Sequence, residues 1–136
     1  MNMRFLKKSI LLYFTILSSC GLTQIKTGFD TDSVYDRLFI EKVPEFPGGL
    51  SAMYKFVSNN LQIPIDDGIY YGKVYLSFIV GTDSMLSDFR ILKGTNTKFD
   101  AEVVRVFKMM PKWSPGSESG KAVRCRMVYP ISVHIK

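Results

Sequence analysis

The chain has 136 residues, enough for one domain with one modest core and too few for two. Its 18 Lys and Arg outweigh 12 Asp and Glu for a formal net charge of +6. Arg4, Lys7 and Lys8 supply half of that excess, so the rest of the chain is too weakly basic to argue for a nucleic-acid partner. One histidine, His134, with no second His or Cys beside it, does not make a metal site, and nothing calls for a cofactor.

The first element is a leader. Basic residues are followed by an apolar run from Ile10 to Leu17 and then by the small Ser18 and Ser19. A membrane-spanning helix needs about 20 consecutive apolar residues, and this run is too short; the order of basic, apolar and small residues is that of a secretory signal. Leu17, Ser18, Ser19 and Cys20 resemble the lipobox of bacterial lipoproteins. The resemblance implies removal of residues 1–19 as a signal peptide and a lipid on Cys20. Because no Asp follows Cys20, it also implies an anchor in the outer membrane with the protein facing the periplasm. A plain signal or a short uncleaved anchor, with Cys20 incidental, is the other reading. With Cys20 acylated, Cys125 lacks a disulfide partner and reads as a buried, inert thiol.

Residues 20–33 are polar and without a sustained period, a tether that reaches on the order of 40 Å at ~3.3–3.6 Å per residue. The domain then occupies residues 34–136. "VYDRLFIEKV" reads as a short strand or an extended arm, and "PEFPGG" as an extended entry that ends in a turn. Leu50, Met53, Val57 and Leu61 recur at helical spacing, and Pro64 ends that helix. "IDDG" is a loop. From Gly72 the period falls to two, with Val74, Leu76, Phe78 and Val80 on one face. Gly81–Ser84 form a turn and "SDFRILKG" returns as the second strand of a hairpin.

A second helix begins after Gly94, with Thr97 and Asp100 at capping-box spacing, and places Phe99, Val103, Val106, Phe107 and Met110 on its apolar side. Pro111 stops it. "PKWSPGSESG" is a loop in which Trp113 plugs the end of the core more plausibly than it offers an exposed binding ring. The final segment alternates most cleanly, with Val123, Cys125, Met127, Tyr129, Ile131, Val133 and Ile135 on one face. Pro130 has no N–H, which suits a sheet edge. The expected fold is α+β: a two-layer sandwich in which a three-stranded antiparallel sheet carries helices on one face.

"PEFPGG", "NNLQIP", "GKVYLSFIVGTDS", "DFRILKG", "FDAEVVRVFKMMPKWSPG" and "GKAVRCRMVYPISVHI" together resemble the TonB C-terminal domain family, in its order, over residues 43–136. The departures are Asp83-Ser84 where the family commonly has Asp-Gly, a shorter stretch between Pro64 and Gly72 that leaves out a small helix, and a front end without inner-membrane helix or long proline-rich spacer. The resemblance implies a module that takes an extended segment of an outer-membrane TonB-dependent receptor, or another envelope protein, as an added strand. The contact residues would be Gln62, Ile63 and Pro64 together with Arg124, Arg126 and Val128 on the last strand. The two arginines favour an acidic peptide; equally, basic residues on an edge strand protect against aggregation. A homodimer joined through the same edge is the alternative. Catalysis finds no support: Asp66 and Asp67 are neighbours in a loop, and Ser117 and Ser119 have no basic partner but His134.

Overall fold

Two stretches of alternating residues each offer one apolar face, and the chain pairs them along their length. In the computed structural model, which describes residues 33–63 and 71–134, β2 (Tyr71–Val80) runs antiparallel to β5 (Lys121–His134). The register holds from Tyr71 opposite His134 to Val80 opposite Cys125. On the far side of β2 lies β3 (Leu86–Lys93), joined by a loop in which Gly81 N–H donates to Met85 O at 2.9 Å. Ser84 takes the left-handed conformation there, φ 70°, where a glycine is the usual residue.

Two helices cover one face. α1 (Gly49–Asn60) starts from Gly48 at φ 86°, a backbone that Gly adopts without penalty and that "PGG" provides. α2 (Thr97–Lys108) is capped one residue earlier than the sequence suggests. Asn96 Oδ1 accepts from Phe99 N–H at 2.8 Å, and Asp100 turns back to accept from Thr95 N–H at 3.0 Å. Asn is as good an N-cap as Thr or better, so the cap moved to it. Met53 and Val57 of α1, Phe99, Val103, Val106 and Phe107 of α2, and Val74, Leu76, Phe78 and Val80 of β2 close one core with Cys125, Met127 and Ile131.

Phe78 stands at its centre. Phe107 and Trp113 lie 5.4 Å away ring to ring, Tyr129 6.0 Å and Phe89 6.2 Å. Trp113 is 2% exposed and packs its edge against Phe46, so the packing role expected of it is what the fold uses.

The three antiparallel strands are joined by two more, which corrects the expected count and makes the sheet mixed. β1 (Val34–Asp36) lies parallel to β5, with Val34 opposite Arg124 and Asp36 opposite Arg126, and the sheet order is β1-β5-β2-β3. β4 (Gly116–Glu118) folds back on the start of β5 through Ser119 and Gly120, at φ 50° and 75°. β1 falls in the segment read as a short strand or an extended arm, whereas β4 falls in the stretch read as a loop; at three residues each, both are too short to show a period. The leader, Cys20, the tether up to residue 32, the stretch 64–70 with Pro64, Asp66, Asp67 and the small helix thought missing, and Ile135 lie outside the described residues.

Cys125 is fully buried, and burial pushes its thiol up to about 11. At pH 8 the thiolate is then on the order of one part in a thousand, against about a tenth to a quarter for an unburied cysteine. Alkylation of the native protein at pH 8 is expected to run at least about 100-fold slower than in urea. Comparable rates would place the thiol outside the core.

Candidate partner-binding edge

Backbone donors and acceptors decide what a strand can still bind, so the two sides of β5 matter most. One side is filled by β2 along Cys125–His134. Elsewhere β4 pairs with Lys121–Val123 and β1 with Arg124–Arg126. Past Arg126, among the described residues, no strand but β2 pairs with β5. Val128 and Pro130 fall in this stretch and are exposed. Pro130 sits opposite Tyr75 of β2 and, having no N–H, fits where the donor would face away from β2. The expectation that the last strand is an edge holds for this half of it; the other half is covered by β1 and β4.

Beside the vacant stretch runs a groove of about 440 Å³, lined by Tyr54, Val57, Leu61, Ile63, Pro130 and Ile131 and by the polar Ser58, Lys73 and Ser132. Its wall is fixed by a polar clamp. Glu102 of α2 accepts from Gln62 N–H at 2.8 Å and pairs with Arg105 at 2.6 Å, while Arg105 donates to Asn60 O at 2.9 Å. The Arg105 guanidinium, helped by Gln62 N–H, holds the Glu102 carboxyl below its usual range. This clamp welds the end of α1 to α2 and sets Ile63 in the groove. That Glu102 and Arg105 grip the chain after α1 was not legible in the sequence.

The expected contact residues are therefore not all together. Ile63 shares the groove with Pro130 and Ile131, Val128 lies on the same strand but does not line it, and Gln62 is held at its backbone by Glu102. Pro64 is outside the described residues. Arg124 stands under β1. Arg126 reaches across β2 on the helix-free face, donating to Ser77 Oγ at 3.1 Å and to Asp88 Oδ2 at 2.8 Å. Asp88 sits in a bulge, φ 49°, where it and Phe89 together stand against Phe78 of β2. It accepts also from Arg90 Nε at 2.9 Å, and the hydrogen bonds from Arg126 and Arg90 hold its carboxyl below the usual range. No sequence signal pairs positions 88 and 126, because the contact depends on the bulge.

Among the described residues no group of three His, Cys, Asp or Glu is placed to hold a metal, and no helix is long and apolar enough to cross a membrane.

The family described as Gram-negative bacterial TonB protein C-terminal matches residues 69–133, the stretch that carries β2, β3, α2, β4 and nearly all of β5. No curated protein and no solved structure matches the chain. The matching family is a non-catalytic protein-interaction domain of the Gram-negative cell envelope. Residues 69–133 thus match the TonB C-terminal domain family, and the α+β fold of the chain is compatible with that match.

Proposed function

We propose that the protein is a lipoprotein, anchored through Cys20 in the outer membrane and facing the periplasm, whose domain captures an extended segment of an outer-membrane TonB-dependent receptor or another envelope protein. Residues 1–19 are its signal peptide, 20–33 its lipidated tether and 34–136 the binding domain. The observation that carries this reading is the edge of β5 past Arg126 that no described strand but β2 pairs, flanked by a groove of mixed apolar and polar lining. An extended peptide laid there gains backbone hydrogen bonds from β5 and a seat for one apolar side chain. Ile63 and Val128 are the most direct contacts; Gln62, Pro64, Arg124 and Arg126 complete the set, with Arg126 available to an acidic residue that replaces Asp88.

Site-specific photo-crosslinking in cells of the source organism tests this, with the probe at Val128 because the Arg126 side chain is engaged with Asp88. The expected product is a heavy adduct to the N-terminal segment of an outer-membrane protein. A self-adduct at twice the monomer mass, or no adduct, would remove the reading and leave a homodimeric or unpartnered envelope protein.

A further inference from the structure

β1 occupies part of the edge that the partner needs, and it is weakly held. It has three residues in register with Arg124–Arg126, in the parallel arrangement that is slightly the less stable per residue. Val34 is 39% exposed, and the 3₁₀ turn that follows (Arg37–Phe39) buries nothing, with Leu38 78% and Phe39 76% exposed. None of Val34–Phe39 belongs to the buried core.

From Ile40 onward the chain is also tied to the core and to the segment before β5. Ile40 packs on the core, and Lys42 and Ser117 exchange backbone hydrogen bonds of 3.0 and 2.9 Å. Glu45 and Ser114 exchange two more, of 3.1 and 2.8 Å. Val34–Phe39 is thus a segment rooted at Ile40 that contributes no buried side chain to the core.

Its sequence suits the edge it covers. Val-Tyr-Asp offers apolar, aromatic and acidic residues in turn, and Asp36 lies in register with Arg126. We propose that β1 is a stand-in for the partner strand. It holds the Arg124–Arg126 end of β5 until an extended peptide of similar apolar and acidic character, running parallel to β5 as β1 does, pairs from Arg124 toward Pro130 and displaces it. The identity of that peptide rests on the strand-addition reading above; the displacement of β1 does not.

The test uses a labelled synthetic peptide copying residues 31–40, TDSVYDRLFI, and the full-length protein. Tyr35→Pro removes a main-chain donor from β1 and disfavours its pairing. The peptide is expected to bind the Tyr35→Pro protein at least about tenfold more tightly than the unaltered one. Equal affinity for both, or binding to neither, would overturn the proposal. A second measurement needs no variant: in the unaltered protein, the Arg124 and Arg126 amides are expected to exchange hydrogen at least about 100-fold faster than those of Cys125 and Met127. Exchange of all four at one rate, set by global unfolding, would also overturn it. A Val128 probe that finds no receptor while the peptide still competes with β1 would remove the partner and leave the flap.

Discussion

Phe78→Ala is expected to destabilise the domain by about 3–5 kcal/mol, the range for deleting a buried aromatic ring and leaving a cavity. Small domains have a total of roughly 5–15 kcal/mol, so the variant sits at or near the edge of folding. The expectation follows from place and not merely from burial. Phe78 is the side chain of β2 that touches rings from β3, α2, the loop before β4, and β5, through Phe89, Phe107, Trp113 and Tyr129. No single neighbour can move to fill the gap without leaving its own element. Urea denaturation followed by Trp113 fluorescence reads it, as a fall in midpoint with the slope unchanged. A loss below about 1 kcal/mol would mean that the aromatic cluster is not the centre of the core.

The second large effect separates neighbouring residues of one strand. Main-chain groups of a strand alternate in direction, and Pro130 marks the positions whose N–H would face away from β2. Val128 is two residues earlier and shares that direction; Tyr129 lies between and faces β2, opposite Leu76. Val128→Pro should therefore leave the domain folded and reduce partner capture at least about tenfold, because it removes a donor from the vacant edge. Tyr129→Pro should cost about 3 kcal/mol or more from a lost ladder bond and the clash of its ring, besides the loss of packing against Phe78. Urea midpoints for both variants, and the yield of the receptor adduct with the Val128→Pro change and the photo-probe moved to Ser132, report the two outcomes. Unfolding of Val128→Pro, or undiminished capture by it, would place the docking surface elsewhere.

What could be read from the sequence divides along physical lines. The long strands β2 and β5 and both helices bury one face each, so their periods were visible, and Trp113 was correctly assigned to the core. β1 and β4 are held by pairing and not by a buried face, so nothing periodic betrayed them; the Ser119-Gly120 turn was the one signal available for β4. For the candidate site, Val128, Ile63 and Pro130 emerged because an edge proline and the end of a helix leave marks in the chain. The lock of Asp88 on Arg126 left none. It depends on a one-residue bulge, which moves Asp88 off the register that alternation alone would give.

A flap rooted at Ile40 also stores length. Val34–Asp36 lies against β5 and Arg37–Phe39 in a 3₁₀ turn, and drawn straight the six residues span on the order of 20 Å at ~3.3–3.6 Å each, more than they reach in place. The distance between the domain and whatever holds the preceding residues is then a readout of which strand occupies the edge. With the lipid anchor proposed above, release of the flap would lengthen the connection between the domain and that anchor.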